Sequence, residues 1–204
     1  MVAATSRWRA PEDATGALIG PNAILQLVPV IDRVGGPNLL ARILAGAGVA
    51  ELPDGQAMIP EGPVARVHRE LRRVLPDQAP SLAREAGRRT ADYILANRIP
   101  GPAQTVLRHL PPAPAAWALS HAIAKHAWTF VGSGRFQRVS SLRLEIEDNP
   151  VVRGESSGRP LCDWHAGVFE RLYGELVDPG MVCVETDCAA VSGRVCRFHL
   201  KRND

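Results

Sequence analysis

Apolar and polar positions follow two different periods along this chain, and the period changes about two thirds of the way through. Up to about residue 127 the apolar residues recur at helical spacing. Pro21-Asn22 opens such a pattern, with Ile24, Leu25, Val28, Ile31 and Val34 on one face and Pro29 inside it as a kink or stop. Gly35-Gly36-Pro37 divides it from a second apolar helix over Asn38 to Ala47. The Pro- and Gly-rich stretch from Leu52 to Pro63 reads as a loop. A helix from Val64 to Leu75 then turns Val67, Leu71 and Val74 inward and leaves Arg66, Arg69, Arg72 and Arg73 on a solvated face. Ser81 is placed to cap a longer helix that runs to about Ala96, with Leu82, Ala86, Tyr93 and Ile94 inward. Gly87 in its middle suggests the close approach of another backbone or of a ligand. A short helix over Ala103 to Leu110 and an Ala-rich one over Ala115 to about Ala127 complete this part.

From Trp128 the period falls to two. Trp128 to Val131 reads as a strand, Gly132-Ser133-Gly134 as a turn, and Val139 to Glu147 as a strand with Leu142, Leu144 and Ile146 inward. A loop over Val151 to Pro160 leads into one more helix, where Trp164, Val168, Phe169, Leu172, Tyr173 and Leu176 form a stripe. Met181 to Thr186 and Val195 to Leu200 alternate again, joined through the Ser192-Gly193 turn. The pattern predicts one α+β domain over residues 1–204. A loose arm covers 1–12, a mainly helical part 13–127, and a sheet and metal-site part 128–204. The N-terminal helices pack on an antiparallel sheet, and a helix is inserted before the last hairpin.

Composition narrows the function classes. A chain of 204 residues suffices for one sizeable domain. A net charge of +3 is too small to argue for nucleic acid. No apolar run reaches the length of a membrane span, and no long apolar segment follows the basic N-terminus. The expected location is cytoplasmic, at most peripheral to a membrane through partner enzymes.

The candidate chemistry lies at the far end of the chain. All four cysteines, Cys162, Cys183, Cys188 and Cys196, follow residue 161. Such clustering points to a metal site, to disulfides, or to small packing residues. Cys162 falls beside the first turn of the last long helix, where the helix dipole favours a thiolate. A helix followed by a hairpin can bring Cys162, Glu185, Cys188 and Cys196 together. Three thiolates and a carboxylate suit tetrahedral zinc. Cys183 shares a face with Glu185, so at the level of spacing a four-thiolate site remains open.

Cys162 with Trp164-His165-Ala166-Gly167, then Glu185-x-x-Cys188, then Gly193-x-x-Cys196-x-Phe198, resembles the 4-vinyl reductase domain family. The likeness is strong over the last third of the chain and loose in the middle. It implies a ligand-binding module, of the kind also found in phenol-sensing transcription activators, with a structural zinc held by Cys162, Glu185, Cys188 and Cys196. It thereby favours Glu185 over Cys183. Over its length the chain is most similar to members that serve bacteriochlorophyll biosynthesis. That likeness implies a magnesium-porphyrin or chlorophyllide intermediate as ligand and the pathway's enzymes as partners. The sensor members dimerise, which makes a homodimer the expected assembly.

Three functions follow from this resemblance. The first is an accessory protein that holds, delivers or protects a tetrapyrrole. The second is an enzyme that reduces a vinyl group of that ring. The third is a sensor or scaffold for a small aromatic ligand. Vinyl reduction needs a hydride or electron donor. Gly132-x-Gly134 and Gly46-x-Gly48 lack their third glycine and the strand–turn–helix setting of a nucleotide site, and the cysteines lack ferredoxin spacing. The expectation is therefore a binding protein with no nucleotide cofactor and no catalytic residues. A flat apolar ring needs aromatic faces, and its magnesium an imidazole. Trp117, His121, His126, Trp128 and Phe130 offer these in one stretch, with His126 and Trp128 foremost.

Overall fold

The computed structural model describes residues 16–203, so the arm expected over 1–12 lies outside the described residues. Two short strands, β1 (Leu18–Ile19) and β2 (Ile59–Pro60), pair antiparallel beside the first helices. These are α1 (Asn22–Leu25) and α2 (Val28–Gly46). Pro29 sits in the first turn of α2, where its missing N–H costs nothing. Gly36, at φ 65°, breaks α2 where Gly35-Gly36-Pro37 predicted a division.

Helix α3 (Glu61–Val74) starts three residues ahead of the predicted Val64. The buried Glu61 accounts for this, because its carboxylate accepts from the Ser133 amide at 2.7 Å and hydroxyl at 2.8 Å and from Arg153 at 2.6 Å. Helix α4 (Ala79–Asn97) has Gln78, not Ser81, at its N-cap; the Ser81 hydroxyl donates instead to the Gln78 carbonyl at 2.8 Å. Helices α5 (Gly101–His109) and α6 (Pro112–Lys125) follow.

The strand expected at Trp128 is a helical turn, α7 (Trp128–Val131). Trp, Thr, Phe and Val favour strands. Here the chain leaves α6 already in helical geometry, and the amides of Phe130 and Val131 find the Ala127 carbonyl at 2.9 and 3.0 Å. Local hydrogen bonding overrides a weak propensity. The sheet thus begins at β3 (Arg135–Ser140), which returns as β4 (Arg143–Glu147). The alternation read as one strand from Val139 is a hairpin, with Ser140 opposite Arg143. Leu144 and Ile146 are buried as expected, Leu142 sits in the turn half-buried, and Val139 points to solvent.

After a 3-10 turn over Pro150–Val152, α8 (Asp163–Leu176) crosses the sheet and leads to β5 (Met181–Asp187). The turn-like α9 (Ala189–Ser192) and Gly193 at φ 73° then reverse the chain into β6 (Val195–Arg202). The four strands run antiparallel in the order β3-β4-β6-β5, so β6 lies between β4 and β5. Tyr173 donates to the Ser141 carbonyl at 2.6 Å and ties α8 to the β3–β4 turn. On its other side α8 crosses α4 at backbone contact. A Cβ at Gly87 would overlap the Trp164 carbonyl oxygen, and one at Gly167 the Arg84 carbonyl oxygen. The close approach predicted at Gly87 is therefore a helix crossing.

Candidate metal centre

Three elements deliver the four side chains. Cys162 is the N-cap of α8, held where the loop from Arg153 to Leu161 ends. Arg72 fixes that loop. It was expected on a solvated face, but it turns inward, pairs with Glu155 and donates to the Val151 carbonyl at 3.0 Å. Glu185 projects from the inward face of β5. A register shift after Glu185 lets the chain leave the ladder at Cys188, the N-cap of α9. Cys196 stands on the inner face of β6, opposite Ile146.

The ligand atoms of Cys162, Glu185, Cys188 and Cys196 all lie within 4.8 Å of one another and could hold a metal ion. The Cys162 sulfur is 3.3 Å from that of Cys196 and 3.9 Å from that of Cys188; Cys188 and Cys196 are 4.0 Å apart. All three cysteines are fully buried. Glu185 Oε2 accepts from the Cys162 amide at 2.7 Å, while its Oε1 is buried without a partner. An unpartnered buried carboxylate oxygen beside three sulfurs is the donor set a cation would satisfy.

The electrostatics agree with the geometry. Burial raises Glu185 to about 9, and the neighbouring Cys188 adds to the shift. Burial also pushes the Cys162 thiol well up. Cys188 alone is pulled down, because the Cys162 and Cys196 thiols donate to it. Without a cation, four groups in one dry corner cannot all ionise.

Cys183 lies outside the group. Its amide donates to Glu170 at 3.1 Å, and burial lifts its thiol to about 12. The charge compensation expected from Arg194 or Arg197 also falls elsewhere. Arg197 pairs with Glu145 at 2.9 Å and Asp187 at 2.7 Å, and Arg194 is exposed. Neutral donors serve the sulfurs instead. The buried Asn149 gives its amide to Cys162 at 3.3 Å and Cys196 at 3.6 Å, and the Ala189 N–H points at Cys196 from 3.4 Å. Sequence reasoning missed Asn149. Its only signal was its place in an Asn-Pro turn after a strand.

The five aromatic and imidazole residues expected to hold a ring do not converge. Trp117 and His121 stack on the outer side of α6 with centroids 4.1 Å apart. His126 ends α6 and Trp128 opens α7, both exposed. Phe130 turns inward, edge-on to Phe136 and Phe169. There it meets His165, a second residue not singled out as a ligand candidate. His165 is buried among Trp164, Phe130 and Phe198, its Nδ1 has no partner, and burial lowers it to about 4.

Residues 142–202 match the 4-vinyl reductase (V-4-R) domain. The chain is 54% identical over 184 residues, 89% of each chain, to the bacteriochlorophyll synthase 23 kDa chain of Cereibacter sphaeroides. It is 49% identical over 185 residues to the protein of the same description from Rhodobacter capsulatus, covering 89% of this chain and 86% of that one. Among solved structures it is similar to an H-NOX protein from K. algicida, at a TM-score of 0.55 and 9% identity. A T. tengcongensis H-NOX protein gives a TM-score of 0.53 and 13% identity. Both alignments cover 91% of this chain and 97% of the other. At such identities the likeness is one of fold alone.

Proposed function

From the premise that this chain belongs to the family of bacteriochlorophyll synthase 23 kDa chains, we propose that it binds a tetrapyrrole intermediate and delivers or protects it for the pathway's enzymes. The intermediate is of the magnesium-porphyrin or chlorophyllide type. The observation that carries this reading is the 54% identity over nine-tenths of both chains to a protein described by its place in a bacteriochlorophyll synthase.

The ring-binding residues in this reading are Trp117, His121, His126, Trp128 and Phe130. A tetrapyrrole is a broad apolar disc with acidic groups at one edge. Exposed indole and imidazole faces can take it up from outside, with one imidazole as axial ligand to magnesium. The cysteine corner supports this as a frame. Its three thiols and carboxyl fit zinc, and all four positions are protein side chains, so none is left open for a catalytic water. Bound zinc would join the start of α8 to β5 and β6 and neutralise part of the charge gathered there. The expected assembly is a homodimer, which light scattering on the purified protein would check.

Titration of the purified protein with chlorophyllide or magnesium-protoporphyrin should shift the ring's absorbance and quench Trp fluorescence. Absence of binding by any ring ends the proposal. Turnover of divinyl chlorophyllide with a nicotinamide or reduced ferredoxin would make the protein the vinyl reductase instead.

A further inference from the structure

The outward side of α5, α6 and α7 differs from the rest of the surface. Helix α5 buries none of its residues, and Val106 on it is 60% exposed. Helix α6 buries Ala115, Ala116, Leu119, Ser120 and Ile123. What it turns outward is Pro112, Ala113, Pro114, Trp117, Ala122 and Ala124, with His121 and Lys125 as its sole ionisable groups. Trp128 continues the stripe, since 117, 121, 124 and 128 fall on one face at helical spacing. Trp117 and Trp128 are 57% and 59% exposed. By contrast α4 shows solvent Ser81, Arg88, Arg89, Asp92 and Asn97.

Charge singles out the same segment. All 21 Asp and Glu residues of the chain lie outside residues 93–144. That stretch carries Arg98, Arg108, Lys125, Arg135, Arg138 and Arg143. Within α5–α7 and their approaches, Arg108 reaches Glu175 on α8. Lys125 and Arg98 have no carboxylate partner among the described residues.

We propose that the α5–α7 face rests directly on an anionic phospholipid surface. Exposed Trp with an apolar helix side and a few cations is the composition of an element lying in the headgroup region. Among the described residues no helix can cross a membrane, so the contact is interfacial. The missing carboxylates decide between a lipid and a protein partner. A protein interface needs complementary charge only at its contact points and tolerates both signs around them. A uniformly negative surface repels every carboxylate near it, and attracts each nearby cation. The inference stands apart from the tetrapyrrole reading, because it concerns the ring-free protein and is tested on other residues.

The test is flotation of ring-free protein with vesicles of phosphatidylcholine, alone or with a minority of phosphatidylglycerol. The protein should float with the phosphatidylglycerol vesicles only, release as salt rises, and show a blue-shifted Trp emission. The double variant Ala124→Glu, Lys125→Glu should lower partitioning about tenfold or more. Ala113→Glu should lower it too; there a carboxylate suits the helix N-terminus, so loss of fold would not be the cause. Circular dichroism and ring titration should match the parent for both variants. Failure of the parent protein to float, or equal flotation of parent and variants, would overturn the proposal. So would equal binding to neutral vesicles, or a crosslink from this face to a pathway protein in place of lipid binding.

Discussion

At the cysteine corner, side chains from the start of α8, from β5 and from β6 meet in a dry volume, and the chain separates the first from the last by 34 residues. On α6 and α7, Trp117, His121, His126 and Trp128 come from neighbouring positions and stand in solvent. The corner is held by many contacts it does not itself make: Arg72 behind the loop, Asn149 beneath the sulfurs, and the α4–α8 crossing behind Cys162. The aromatic stripe is held by one helix. A site assembled from distant segments inherits the stability of the fold, whereas a site on one face can change with little structural effect. Substitutions should separate the two regions in that order.

The largest effect belongs to Cys188→Ser. It should abolish stoichiometric zinc by elemental analysis and cost about 4 kcal/mol or more. For a chain of this size that is a fall in Tm of roughly 10 °C in calorimetry. A variant that kept both zinc and Tm would remove the corner as a metal site. Next comes Gly87→Ala. Its methyl group would force the α4–α8 crossing apart, at about 1–3 kcal/mol in urea unfolding. Zinc content should remain, since all four ligands are kept; joint loss would show that the crossing also sets the Cys162 position. Asn149→Ala leaves two sulfurs without their side-chain donor. About 1–2 kcal/mol of stability should go, and zinc should pass to a colorimetric chelator faster than from the parent protein. The smallest change in stability belongs to His126→Ala, within about 0.5 kcal/mol because the side chain is exposed. Its effect should appear in ligand titrations instead, weakening magnesium-containing rings more than metal-free ones. Equal weakening would deny His126 the axial role.

Much of the corner is legible in the amino-acid pattern. Helix α8 and strands β5 and β6 are short segments with clean periods, and their order alone brings Cys162, Glu185, Cys188 and Cys196 near one another. Spacing could not choose between Glu185 and Cys183, because both point inward from β5; the family resemblance favoured Glu185, and the geometry places Cys183 against Glu170. Asn149 and Arg72 were beyond reach, since nothing in a local pattern says which polar side chain will meet a distant sulfur or carbonyl. Strand β3 was missed because Phe136 is its only large inward side chain, between arginines that read as loop. At α7 the residues favoured a strand and the preceding helix won. The aromatic stripe was visible as a spacing, but spacing gives a common face and not the direction it looks.

The position of β6 has a consequence for how the chain acquires its shape. Strands β4 and β5 flank it and do not pair with each other. Until residues 195–202 are in place, each has an open edge toward the other, and an open edge is a template for pairing with the wrong chain. Cys196 travels on the same strand. Closing the sheet and completing the thiol set are therefore one event, and it joins segments far apart along the chain, which makes it slow. During biogenesis the vulnerable interval is the one before that strand inserts, and a cell short of metal or of chaperones would be expected to lose this protein then, through aggregation of half-closed sheets.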